Sequence, residues 1–125
     1  MIGAKLAHPE RFCLNLMGDG AFGMSGTDIE TAVRAEVPIT TVVLNNGGMA
    51  TYPGGFPTAR KQYGVSEMYG DYAKIAEGMG AVGIVVDSPT ELIDSLRRAQ
   101  RLNKEGRTVL IDAHSDMESR RSRWN

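Results

Sequence analysis

The sequence predicts an α/β domain: a doubly wound parallel sheet with helices on both faces, three αβα layers in all. Three observations predict it. Short apolar, β-branched runs alternate with segments of helical period, the pattern of strands joined by crossover helices. Two of those runs end in polar, glycine-rich turns, Gly18-Asp19-Gly20 and Asn45-Asn46-Gly47-Gly48. The composition adds 15 glycines against 6% aromatic residues, which favours a ligand-handling α/β domain over a helical bundle.

The elements follow in order. Residues 1–7 read as the end of a helix with no capping residue before it, and His8-Pro9-Glu10-Arg11 as a turn. Phe12 to Met17 is an apolar run and predicts a buried strand. Thr27 and Glu30 have capping-box spacing, so a helix is expected over 28–36, with Ile29, Ala32, Val33 and Val37 inward and Pro38 ending it. Ile39 to Leu44 predicts a second buried strand. From there to Gly70 no period is clean, and the stretch reads as a long functional loop. Asp71 caps a helix over 71–79, and Ala81 to Val86 is a third strand. Ser88 and Glu91 form a second capping box, with Pro89 in the first turn of a helix over 89–104. That helix turns Leu92, Ile93, Leu96, Ala99 and Leu102 inward and ends before Gly106. Thr108 to Ala113 is a fourth strand, and Ser115 to Asn125 a charged surface tail.

A chain of 125 residues makes one domain with a real core, not two. Fourteen Lys and Arg balance 15 Asp and Glu, which gives no sign of a nucleic-acid partner. One cysteine excludes a disulfide framework within the chain. The apolar runs fall short of a membrane span and no secretory leader opens the sequence, so a cytoplasmic location is expected.

In an open parallel sheet, ligands bind beyond the carboxyl ends of the strands. The two polar turns lie there if their strands are neighbours. The 24 residues from Ala21 to Leu44 accommodate one crossover unit between them. Asp19 offers a carboxylate, Asn46 a side-chain carbonyl, and the backbone just beyond Asn46 a third oxygen. Such donors suit Mg²⁺, which shares its shell with phosphates and water, better than zinc. Gly18 and Gly20 let the backbone approach a phosphate closely. Taken singly, each turn is most often only a turn. The pairing of the two across one crossover is what points to a shared metal–phosphate site.

Gly18-Asp19-Gly20, the 24-residue spacing and Asn45-Asn46 resemble the fingerprint of thiamine-diphosphate-dependent enzymes. The segments Ile2 to Ala7, Asn15 to Phe22 and Thr40 to Gly48 are similar to the branch of acetolactate synthase, oxalyl-CoA decarboxylase and 2-hydroxyacyl-CoA lyase. The resemblance implies that Asp19 and Asn46 ligate Mg²⁺ through side chains and Gly48 through its carbonyl. It implies that Gly18, Gly20, Ala21, Phe22 and Met49 bind thiamine diphosphate, with Gly20 and Ala21 donating backbone N–H groups to the diphosphate. The substrate would be a 2-oxo acid or an acyl-CoA, and the enzyme an oligomer. The family's activating Glu lies on a pyrimidine-binding domain that no part of this sequence matches. Residues 1–125 are therefore expected to be the later part of a pyrophosphate-binding domain, truncated at its N-terminus and inactive alone. Met49-Ala50-Thr51-Tyr52 departs from the substrate-loop pattern of acetolactate synthases, which leaves a lyase of the same branch as the alternative.

Other readings compete. Gly18, Gly20 and Gly23 satisfy Gly-x-Gly-x-x-Gly, so a non-catalytic metal–nucleotide module is one; the acidic ribose-binding residue is replaced by Asn45 and Asn46. A remnant that kept the fold and lost catalysis is another. Cys13 reads as core, His8 as solvated, and His114 as a residue near the ligand edge. Tyr52, Phe56, Tyr63 and Tyr69 suggest a lid, and Arg120, Arg121 and Arg123 a solvated run or a subunit contact.

Overall fold

The structure is a computed structural model that describes residues 1–48, 57–65 and 67–117. Its elements are α1 (Ile2–Ala7), β1 (Leu14–Gly18), α2 (Asp19–Ser25), α3 (Asp28–Arg34), β2 (Thr40–Asn45), α4 (Pro57–Tyr63), α5 (Tyr72–Gly78), β3 (Val82–Val86), α6 (Pro89–Lys104) and β4 (Val109–His114). The four strands form one parallel sheet in the order β1-β2-β4-β3. The chain steps from β1 to β2 and on to β3, then turns back to β4. A right-handed crossover puts the helix of the reversed step on the opposite face, which is where α6 lies.

Side-chain alternation sorts the core into two layers. Phe22, Ile29, Tyr72 and Ala76 from α2, α3 and α5 pack on Val43 and Leu110. Ala99, Leu92, Leu96 and Leu102 of α6 pack on Val42, Ile84, Val86, Val109, Ile111 and Ala113 across the sheet. Each fully buried Val, Leu or Ile contributes about 1.5–3 kcal/mol. Cys13 joins Ala32, Val37, Ile39 and Ile2 in a smaller cluster. At Gly83 a Cβ would stand 2.5 Å from the Ala73 carbonyl oxygen, so this glycine lets α5 lie against β3.

Several expectations are corrected. The first strand is not buried. It is the sheet edge, and Leu14 and Leu16 on the α6 side are exposed, Leu16 to 61%, because α6 covers β2, β4 and β3 but stops short of β1. Ile93 faces solvent at 58% exposure, because the inward stripe of α6 runs through Leu92, Leu96, Ala99 and the buried Asn103. The Thr27 box does not close. Thr27 has helical dihedrals, φ −65° and ψ −15°, and makes no side-chain cap, because α2 runs almost directly into α3. Ser88 also makes no cap: its hydroxyl pairs with Thr90 Oγ1 at 3.0 Å, while Glu91 Oε2 accepts from the Asp87 N–H at 3.2 Å. The Asp71 cap does form, with Lys74 N–H donating to Oδ1 at 3.0 Å. Two helices were not foreseen, α2 in a glycine-rich stretch and α4 inside the long loop.

Candidate cofactor-binding site

Beyond Gly18 the chain enters α2 at once, with Asp19 as its first residue. Gly18 pairs with Leu44 across the parallel β1–β2 ladder, so the Asp19 turn and the turn after Asn45 open on the same edge. The two turns are joined by a hydrogen bond. The Gly47 N–H donates to Asp19 Oδ2 at 3.0 Å, and the Gly20 N–H donates to Asp19 Oδ1 at 2.7 Å. The Asp19 side chain is nearly buried, at 3% exposure. Each of its oxygens keeps a lone pair beyond these bonds. Asn46 Oδ1 accepts from the Gly48 N–H at 3.0 Å, which tightens the second turn. Gly47 holds φ +68°, where a side chain would strain the backbone.

Residues 67–72 form the far wall of this turn. Met68 N–H donates to Gly47 O at 3.0 Å, and Gly48 bridges Glu67 in antiparallel fashion. The Asn45 amide donates to Gly70 O at 3.3 Å and to Asp112 Oδ1 at 3.0 Å. A Cβ on Gly48 would stand 2.5 Å from Met117 Cε, so the glycine keeps room beneath that side chain.

On the other side, the N-cap of α2 is Gly18, in an extended conformation and without a capping side chain. The Ala21 N–H thus belongs to the opening of the helix, where N–H groups lack intrahelical acceptors, whereas the Phe22 N–H is the first to have one, the Gly18 carbonyl. The Phe22 ring points away, into the core, where it meets Tyr72 edge-to-face at 4.9 Å. Only its backbone is on offer to a ligand. Burial pushes the Tyr72 phenol above its ordinary value, and the Asp19 and Asp112 carboxylates add to the shift.

Among the described residues no three His, Cys, Asp or Glu side chains gather as a metal site. As candidate donors, Asp19, Asn46 and Gly48 would offer one carboxylate, one amide oxygen and a backbone carbonyl. That is too hard and too sparse for zinc, and it fits a cation that completes its shell with phosphate and water oxygens. Met49 and the lid residues Tyr52 and Phe56 lie outside the described residues, as do Arg120, Arg121 and Arg123. Gly18 is exposed, and a Cβ there would meet nothing within 4 Å, so no close approach within the chain requires this glycine. Tyr63 and Tyr69 are exposed. His114 stands at the carboxyl edge, bonded to Asp87 Oδ1 at 2.7 Å and 3.7 Å from Asp112 Oδ2, rather than at Asp19 or Asn46. Sequence reasoning passed over Asp112. A carboxylate within the apolar run Val109-Leu110-Ile111-Asp112-Ala113 was the signal that could have found it.

The class is that of the thiamine pyrophosphate enzymes, set by the family model that the sequence matches. Residues 1–113 match the family of the thiamine pyrophosphate enzyme, C-terminal TPP binding domain, and the chain belongs to that family. It is 40% identical over 116 residues to sulfoacetaldehyde acetyltransferase of Alcaligenes xylosoxydans xylosoxydans, covering 90% of this chain and 19% of that protein. It is 40% identical over 119 residues to acetolactate synthase of Bacillus subtilis (strain 168), covering 92% and 20%. It is 35% identical over 114 residues to mouse (Mus musculus) 2-hydroxyacyl-CoA lyase 2, covering 89% and 18%. The chain thus spans about a fifth of the length of these curated relatives. Its fold is similar to that of the thiamine diphosphate-dependent 4-hydroxybenzoylformate decarboxylase of Rhodococcus jostii RHA1, with a TM-score of 0.74 and 24% identity over 94% of this chain and 22% of that one.

Proposed function

We propose that this chain holds the diphosphate of thiamine diphosphate through Mg²⁺, as part of an enzyme that makes or cleaves carbon–carbon bonds of 2-oxo acids in the manner of acetolactate synthase. The observation that carries the reading is the Gly47–Asp19 hydrogen bond at 3.0 Å, which ties the two turns into one edge. Asp19 and Asn46 would bind the metal through side-chain oxygens and Gly48 through its carbonyl. Ala21 would present its N–H to the diphosphate, joined by Gly20 once its N–H turns from Asp19 Oδ1, with Gly18 and Phe22 forming the surrounding backbone and Met49 lying toward the ring. The bound cofactor supplies a carbon nucleophile and an electron sink, which no side chain offers. The work of this chain would be to hold the cation that neutralises the diphosphate and to fix the diphosphate's position.

The family assignment sets the nucleotide-module reading aside. The three relatives differ in substrate by name yet lie within 35–40% identity, so identity alone does not choose among their chemistries. A 2-hydroxyacyl-CoA lyase or oxalyl-CoA decarboxylase activity stays as the alternative within the branch. We further propose that the chain forms part of the pyrophosphate-binding domain of a cytoplasmic, oligomeric enzyme whose pyrimidine-binding domain lies outside these residues. Titrating thiamine diphosphate into the wild type and Asp19→Ala, with and without Mg²⁺, tests the site. Binding that needs both Mg²⁺ and Asp19 supports it, and equal binding by the two proteins would sink it.

A further inference from the structure

We infer that Asp112 is a positioning residue of this site: a buried carboxylate that sets the Asn45–Gly48 turn through Asn45 and anchors its far wall through Tyr72. The inference rests on the reading of Asp19, Asn46 and Gly48 as the metal ligands.

Asp112 lies on β4, an interior strand of the sheet, between Val43 of β2 and Val85 of β3, and its side chain is fully buried. An unpaired carboxylate at such a position is strongly disfavoured, so its partners define what it does. Its two oxygens are divided between two elements. Oδ1 accepts from the Asn45 amide at 3.0 Å, and Oδ2 accepts from the Tyr72 N–H at 3.0 Å. His114 Nε2 stands 3.7 Å from Oδ2, with its other ring nitrogen held by Asp87.

The same Asn45 amide also donates to Gly70 O at 3.3 Å. One side chain therefore ties the end of β2 to β4 and to the wall segment. Asn46, whose oxygen is the candidate ligand, follows Asn45 directly, and Gly47 then reaches Asp19. The path from Asp112 to the site is Asp112, Asn45, the Asn46–Gly48 backbone, Asp19. Hydrogen bonds link each step except the covalent one from Asn45 to Gly48. Asp112 touches neither Asp19 nor Asn46, so it acts through the turn. Outer-sphere groups that orient metal ligands commonly cost about 10–100-fold in metal affinity when removed.

The test uses the 125-residue chain, Mn²⁺ as a paramagnetic probe of the cation site, and amide NMR. Two variants are compared with the wild type: Asp112→Asn, which removes the charge, and Asn45→Ala, which cuts the link to the turn and keeps the Tyr72 bond. Asn45→Ala decides the matter if Asp112→Asn does not fold. In the wild type the Gly20, Gly47 and Gly48 amides are expected to broaden with Mn²⁺. In each folded variant we expect Mn²⁺ affinity to fall by about tenfold or more and the Gly47 amide to exchange faster as its bond to Asp19 loosens. Unchanged Gly47 exchange and unchanged Mn²⁺ affinity in a folded variant would overturn the inference and leave the metal reading intact. Absence of broadening at these amides in the wild type would overturn the metal reading, and Gly47 exchange would still judge whether Asp112 sets the turn.

Discussion

At Asp19 two turns from different strands meet on one carboxylate, which accepts from Gly20 and from Gly47. Removing it has two separable consequences. Asp19→Ala leaves the Gly47 N–H without its acceptor, a loss of about 1 kcal/mol in stability, measurable by denaturant unfolding. It also removes the one charged group among the proposed ligands, so Mg²⁺-dependent cofactor binding should vanish while the fold survives. Asn46→Ala, which removes a neutral oxygen, should weaken that binding less, and a titration series would rank the two. The meeting of the Asp19 turn with the Asn45–Gly48 turn was legible in the sequence, because polar residues that end neighbouring parallel strands open on one edge. Asp112 was not, since its partners come from β2 and α5, 67 and 40 residues away in sequence.

Among the elements, legibility followed the strength of the local signal. Helix α6 was legible end to end, because Pro89, a regular apolar period and Gly106 agree. Helix α2 was hidden. Gly20 and Gly23 are poor helix formers, and the helix forms against β1 and β2, where Phe22 is buried. That β1 is an edge was hidden too, since an apolar run does not say which neighbour is missing. Two predictions belong at this scale. Gly83→Ala forces its Cβ against the Ala73 carbonyl, and α5 must shift; a loss of about 1–3 kcal/mol is expected by chemical denaturation, and unchanged stability would contradict the packing. The second concerns the α5 cap. The Lys74 ammonium, then the Lys74 backbone N–H, hold the Asp71 carboxyl below its ordinary value. A lowered folded value means the cap stabilises α5 above the unfolded carboxyl's range and is lost as pH falls through the folded one. An NMR titration of the Asp71 carboxyl should therefore give a midpoint below 3.8, and a midpoint at or above it would count against the cap.

For the whole molecule, among the described residues α6 covers its face of the sheet over β2, β4 and β3 and leaves that face of β1 open. Leu16 is mostly solvated, so Leu16→Ser should change the stability of this chain by no more than about 0.5 kcal/mol. A larger loss in thermal unfolding would mean that the β1 face is packed after all. The proposed site would grip a diphosphate and a metal, whereas the ring of the cofactor would find few contacts among the described residues. We expect no carbon dioxide release from pyruvate by the purified chain, and a thiamine diphosphate affinity near the millimolar range, about −4 kcal/mol. The most direct measurement is amide NMR of the wild type and Asp19→Ala, titrated with thiamine diphosphate well past that range, with and without Mg²⁺. Shifts on thiamine diphosphate addition are expected at Gly20, Ala21 and Gly47 in the wild type, and only when Mg²⁺ is present. Shifts of the same size without Mg²⁺, or in Asp19→Ala, would contradict the proposed site.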